Sequence, residues 1–157
     1  MTKAVSLDEV SYRFGARWAL VRLTLDIQSG KTLLLTGRNG AGKTTFLRLL
    51  ATALTPHFGN LQIFGCNPKL ALASTRSNLA LLTHQSYFYD LLSSKENLVL
   101  YARLRGCDEG RIDDLLEEVG LAADAHRPIL EFSAGMKRRL GMARLLLASP
   151  KLALFDE

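Results

Sequence analysis

Leu33-Leu34-Leu35-Thr36-Gly37-Arg38-Asn39-Gly40-Ala41-Gly42-Lys43-Thr44-Thr45 is the stretch that decides the fold. Its Gly37 to Thr44 portion matches G-x-x-x-x-G-K-[ST] in full, after an apolar run of strand length and before a helical pattern. Gly40 and Gly42 let the backbone bend so that successive N–H groups point inward, and the helix beginning near Lys43 adds the positive end of its dipole. The loop residues Gly37, Arg38, Asn39, Gly40, Ala41 and Gly42, continuing through Lys43, Thr44 and Thr45, therefore form a cradle for the phosphates of a nucleotide. Lys43 is expected to reach the β- and γ-phosphates, and the Thr44 hydroxyl to bind Mg2+. A glycine-rich turn with a solvated lysine is the competing reading, and it does not explain the flanking strand and helix.

Outward from this stretch, the apolar pattern changes period. Val21, Leu23, Leu25 and Ile27 alternate with Arg22, Thr24, Asp26 and Gln28, which predicts a half-buried antiparallel strand. Leu33-Leu34-Leu35, Leu79-Ala80-Leu81-Leu82 and Leu152-Ala153-Leu154-Phe155 are unbroken apolar runs, as in strands covered on both faces of a parallel sheet. Their ends deliver Thr36-Gly37, His84-Gln85 and Asp156-Glu157, and in open α/β sheets ligands gather at the carboxyl ends of strands. Helices are expected from Lys43 to Leu54, from the capping box Ser93/Glu96 to Gly106, along Ile112, Leu115, Leu116 and Val119 up to Gly120, and from Ser133 to Pro150. The last of these should turn Met136, Leu140, Ala143 and Leu147 inward. The whole reads as a single α/β domain over residues 1–157: a mainly parallel core sheet, an antiparallel amino-terminal β subdomain and an inserted helical subdomain at roughly 90–130.

The carboxylates at the last strand end extend the site. Asp156 is placed to hold the magnesium or its waters, and Glu157 to orient and polarise the attacking water.

Composition sets limits on the alternatives. The 157 residues carry a net charge of +5, with 48% hydrophobic and 22% charged residues, so the chain is too apolar for disorder. Cys66 and Cys107 stand apart with no second cysteine or histidine cluster beside them, which indicates neither a disulfide framework nor a zinc ribbon, and a reducing compartment. Residues 49–68 are uncharged but are interrupted by Thr52, Thr55, Pro56, His57, Gly59, Asn60, Gln62 and Asn67, which excludes a membrane span.

Phe132-Ser133-Ala134-Gly135-Met136-Lys137-Arg138-Arg139-Leu140, standing between the loop and the Asp156-Glu157 strand, resembles the signature motif of ABC-type ATPases. That family follows the order phosphate loop, glutamine loop, signature, aspartate strand. The resemblance implies an ATP-binding and ATP-hydrolysing subunit with Mg2+ as cofactor. Gln85 would be the glutamine that binds the metal and senses a transport partner, and Phe14 an aromatic stacked on adenine, with Tyr12 and Trp18 as rivals. It also implies head-to-tail dimers of ATPase domains in which Ser133 and Gly135 of one copy face the γ-phosphate held by another, an arrangement that suits a capped helix N-terminus. The partner would be a transmembrane permease subunit docked on the helical region after Gln85, and the location the cytoplasmic face of the cell membrane. Nucleic acid is not expected, since no heptads or second phosphate loop are present, and an ABC ATPase of DNA repair or translation is the rival that salt-dependent DNA or RNA binding would revive.

Two features depart from the family pattern: Ser133-Ala134-Gly135-Met136 stands where Ser-Gly-Gly-Gln is commonest, and the aspartate loop and histidine expected after Glu157 are not in the sequence. The chain is thus expected to be the amino-terminal two-thirds of such a domain, without its last strands. More narrowly, the block from Thr83 to Leu104 with this signature resembles the ATPase subunit of the haem exporter of cytochrome c maturation (CcmA-like). The alternatives are an efflux ATPase for a drug, lipid or polysaccharide, or a fragment that binds nucleotide without hydrolysis.

Overall fold

The computed structural model describes residues 2–83 and 87–156. They fall into two compact units, one over residues 1–79 and one over residues 80–157.

In the first unit β1 (Lys3–Phe14) is the middle strand of a three-stranded sheet, flanked by β2 (Arg17–Gln28) and β3 (Phe58–Ile63), both antiparallel to it. The alternation over residues 21–28 does mark an antiparallel strand, with one exception. Val21 is 65% exposed because the ladder shifts register on both sides of the Val10↔Leu23 pair, where Glu9 and Arg22 both have positive φ. Side-chain oxygens replace the interrupted ladder: the Arg22 N–H donates to Ser11 Oγ at 2.8 Å and the Glu9 N–H to Thr24 Oγ1 at 3.0 Å. Ala4, Val5, Leu7, Val10, Ile27, Leu61 and Ile63 are the buried apolar residues of this sheet.

Helix α1 (Lys43–Leu50) buries Phe46, Leu47, Leu49 and Leu50. It stops four residues before the expected Leu54, in a reversed turn that sequence periodicity does not announce. Thr52 takes φ 59°, its N–H donates to Leu49 O at 3.0 Å, and the Ala53 N–H reaches back to Arg48 O at 2.9 Å. A β-branched residue in that conformation is strained by on the order of 1–3 kcal/mol. The guanidinium of Arg76, on the short helix α2 (Leu72–Ser77), offsets the strain by donating to Thr52 Oγ1 at 2.9 Å and Thr52 O at 3.1 Å.

The expected strand at Leu33-Leu34-Leu35 does not form. Residues 31–38 carry no regular structure, and Leu34 is 80% exposed. An unbroken apolar run signals that a strand requires cover on both faces, but it does not supply the ladder partners. In the first unit both edges of β1 are taken by β2 and β3, and residues 31–38 pair with no strand.

The second unit is built on β4 (Leu79–Thr83), which begins at the unit boundary, and β5 (Leu152–Asp156). They are neighbours in a two-stranded sheet joined by a long helical crossover, the connection that parallel strands require. Helix α3 (Ser94–Arg105) has the predicted capping box: Ser93 Oγ accepts the Glu96 N–H at 3.2 Å and Glu96 Oε2 accepts the Ser93 N–H at 2.8 Å. The Ser93 hydroxyl, donating to Glu96 Oε2 at 2.6 Å, and after it the Ser93 N–H hold the Glu96 carboxyl below its usual range. Gly106, at φ 66°, ends the helix in the left-handed conformation. Helix α4 (Ile112–Glu118) and helix α5 (Ala134–Ala148) pack with α3 around Leu98, Ala102, Leu116, Leu121, Ile129, Leu140 and Leu147. Ala143 joins that core, whereas Met136 is only partly buried against it. Leu140 is fully buried, so Leu140→Ala is expected to cost about 2–5 kcal/mol, measured as a drop in urea midpoint at constant slope.

Candidate functional site

The loop that opens α1 has the backbone the glycines were expected to permit. Gly37, Gly40 and Gly42 have φ of 149°, 82° and 89°, and the Ala41 N–H closes a turn onto Arg38 O at 3.1 Å. No side chain caps the helix, Gly42 occupies the N-cap position, and the first turn holds no carboxylate. An uncapped helix start without an acid is suited to an anion. The Lys43 ammonium lies back over the loop, donating to Gly37 O at 2.7 Å and Arg38 O at 3.0 Å.

Strand β2 forms a wall beside this loop. A methyl group added at Gly42 would stand 2.6 Å from Ala19 O and 3.0 Å from Leu20 Cδ2, and one added at Gly40 would lie 3.7 Å from Arg17 Nη2. Gly42 is therefore required twice, for its φ and for its lack of a side chain. Thr44 is exposed, while Thr45 turns inward and is buried, so its contribution to a ligand is through its backbone. The β1–β2 hairpin ends in Phe14, which is 51% exposed, its ring edge-on to Tyr12 with centroids 5.0 Å apart. The rival Trp18 packs against Phe58 at 6.1 Å and under the Arg13 guanidinium at 5.6 Å, and Tyr12 lies against His57 at 4.7 Å. Phe14 touches one ring, whereas Tyr12 touches two and Trp18 a ring and a guanidinium.

The second unit carries the other predicted residues. Ser133 caps α5, its Oγ accepting the Met136 N–H at 3.2 Å, and Ala134 and Gly135 are exposed in the first turn. A methyl added at Gly135 would meet only Ser133 Oγ, at 3.9 Å, so the turn is open to an approaching group. Asp156 is the last residue of β5 and is partly buried. Gln85 and Glu157 lie outside the described residues. The loop with Phe14 thus belongs to one unit, and Ser133, Gly135 and Asp156 to the other.

Two arginines escaped the sequence reading. Arg144, on α5, lies 4.6 Å over the Phe88 ring and 5.6 Å from that of Tyr101, and burial pushes its pKa down. It ties the helix that starts at Ser133 to the segment following residues 84–86. Arg17 stands beside Gly40, and only the hairpin Phe14-Gly15-Ala16-Arg17 hinted that it would face the loop. Among the described residues no group of three or more His, Cys, Asp or Glu could hold a metal, and no helix is long and apolar enough to cross a membrane. Thr44 and Asp156 offer the oxygen donors that a hard divalent cation prefers.

Comparison with known proteins covers nearly the whole chain. Residues 20–157 match the family model described as ABC transporter. The bacitracin transport ATP-binding protein BcrA of Bacillus licheniformis is 33% identical over 100% of the chain and 52% of that protein. The daunorubicin resistance ATP-binding protein DrrA3 of Streptomyces coeruleorubidus is 32% identical over 98% of the chain and 50% of that protein. The chain thus spans about half the length of the curated relatives it matches. Among solved structures, an ATP binding subunit of an ABC transporter superposes with a TM-score of 0.89 at 26% identity, over 98% of this chain and 66% of that one. CbiO1 of Clostridium perfringens, part of the complex cbiONQ, shares the fold with a TM-score of 0.83 at 20% identity, over 100% of this chain and 66% of that one.

Proposed function

The chain belongs to the ABC transporter family, as an ATP-binding domain, and from that premise we propose that it binds MgATP, dimerises around it and drives an efflux permease by hydrolysis. The observation that carries the nucleotide reading is the uncapped start of α1 behind the Gly40-Ala41-Gly42 turn, with the Lys43 ammonium folded over the loop. The efflux reading rests on relatives named for bacitracin transport and daunorubicin resistance. Nothing in the relatives' names supports the narrower expectation of haem export, so the efflux alternative replaces it.

In this proposal the loop N–H groups and Lys43 hold the phosphates, and the charge that develops on the transferring phosphoryl group meets fixed donors that need no reorganisation. Thr44, Asp156 and Gln85 would hold magnesium, which would neutralise phosphate charge. Glu157 orients the attacking water and takes its proton. Ser133 and the open turn at Gly135 of a second copy supply donors to the γ-phosphate. The permease docks on the helical unit after Gln85, which puts the domain at the cytoplasmic face of the membrane.

Phe14→Ala is expected to weaken ATP binding about tenfold while leaving inorganic tripolyphosphate binding unchanged, because stacking on a base is worth about 1–3 kcal/mol. Equal losses for both ligands in a titration would assign Phe14 to packing. The proposal as a whole is tested by magnesium-dependent ATP binding and hydrolysis of this chain beside a longer chain extended by the segments its relatives carry. Saturable binding by both, with turnover in the longer one, is the expected result; absence of binding in both would remove the functional reading. An efflux role is checked by co-expression with a candidate permease, which should raise resistance to a bulky peptide or polyketide antibiotic and leave cytochrome c assembly unaffected.

A further inference from the structure

We propose that Arg17 binds the phosphate chain of the nucleotide, so that the β1–β2 hairpin tip grips both ends of the ligand, the base at Phe14 and the phosphates at Arg17. The inference rests on the MgATP reading above and adds a residue to its site. Phe14 and Arg17 are cross-strand partners on either side of the two-residue turn Gly15-Ala16. Directly opposed residues of an antiparallel pair project from the same face of the sheet. The pairing therefore puts an exposed aromatic ring and a guanidinium side by side, while the neighbouring pair Arg13↔Trp18 stacks on itself, with Arg13 5.6 Å over the Trp18 ring.

Arg17 also reaches the loop. Its Nη2 stands 3.7 Å from where a methyl at Gly40 would be, and the next residues of the same strand, Ala19 and Leu20, wall Gly42. Its charge has no counterpart there. Among the described residues the Arg17 guanidinium makes no hydrogen bond or ion pair, in contrast to Arg22, whose Nε lies 3.8 Å from Glu9, and Arg76, which is bonded to Thr52. Nor does the neighbouring sequence provide one: between Asp26 and Asp90 the chain contains no Asp or Glu, and the loop itself brings Arg38 and Lys43. With no carboxylate bonded to it, the exposed Arg17 guanidinium beside Gly40 is available to an anion held by the loop. A guanidinium's planar fork of donors matches a phosphate's oxygens bidentately. The loop already directs N–H groups and a helix start toward a phosphate, and Arg17 is the charged side chain on the wall facing it.

The test compares ligands that differ in phosphate number. In titrations of the 157-residue chain, Arg17→Ala is expected to weaken ATP and inorganic tripolyphosphate about tenfold each, ADP less, and adenosine not at all, the loss being that of one charge-assisted hydrogen bond. Arg17→Lys should restore only part of the ATP affinity, since it retains the charge and loses the planar fork. The ATP loss should shrink as salt rises, because the group is exposed. The thermal midpoint should not move. Unchanged ATP affinity in Arg17→Ala, or an equal loss for adenosine and ATP, overturns the proposal while leaving the MgATP reading intact. A wild-type chain that binds none of these ligands overturns that reading and this one with it.

Discussion

Lys43→Ala is expected to abolish ATP binding, raising Kd by at least about a hundredfold. In the structure the ammonium donates to Gly37 O and Arg38 O, two carbonyls of the same loop, and both bonds are exposed to water. Exchanging them for charge-assisted bonds to phosphate oxygens gains about 1.5–3 kcal/mol per bond. Removing the ammonium forfeits that gain and also leaves the phosphate charge facing a loop with one cation fewer. The folded chain should tolerate the change, because loop carbonyls that lose a donor are satisfied by water. The thermal midpoint should thus stay within a few degrees of wild type while calorimetric binding disappears. Wild-type affinity in the variant would sink the phosphate-loop assignment, and a collapse of the midpoint would mean that Lys43 holds the fold instead.

Glu157→Gln carries the second large effect, and it separates chemistry from binding. In a chain that hydrolyses ATP, turnover is expected to fall by about 10²–10⁴-fold, the span of a lost general base. ATP affinity should be unchanged or tighter, since the amide keeps the shape and removes one negative charge near the triphosphate. An ATP-bound dimer should accumulate, visible as a doubled mass in light scattering when ATP is present. Full turnover in this variant would show that another group prepares the water. Turnover lost together with binding would show that Glu157 acts on the nucleotide or the metal.

These effects are read from residues whose positions were legible at different levels. The capping box at Ser93/Glu96, the glycine stop at Gly106 and the Ser133 cap of α5 were all visible in the sequence, because each is a contact among residues a few places apart. The glycines of the loop were legible for the same reason: positive φ at Gly37, Gly40 and Gly42 is a property of single residues. The period-two pattern found β2 but missed the bulge that exposes Val21, since the bulge depends on Glu9 of the opposite strand. The helix after the loop was expected to run to Leu54 and stops at Leu50, because the left-handed Thr52 is held by Arg76, distant in the chain.

The sequence alone therefore determined the loop, the start of its helix, the caps and the ABC-type order of motifs, all of which follow from local backbone preference and fixed spacing. Tertiary structure decided what depends on non-local partners. The apolar run Leu33-Leu34-Leu35 contains every residue a buried strand requires and still pairs with no strand, since hydrogen-bond ladders are supplied by other segments. Arg17 is an unremarkable surface arginine in the sequence, and becomes a candidate phosphate ligand only because a two-residue turn sets it opposite Phe14 and beside Gly40. Spacing fixes chemistry along the chain, whereas the meeting of a strand-borne guanidinium with a loop depends on how β2 and α1 pack.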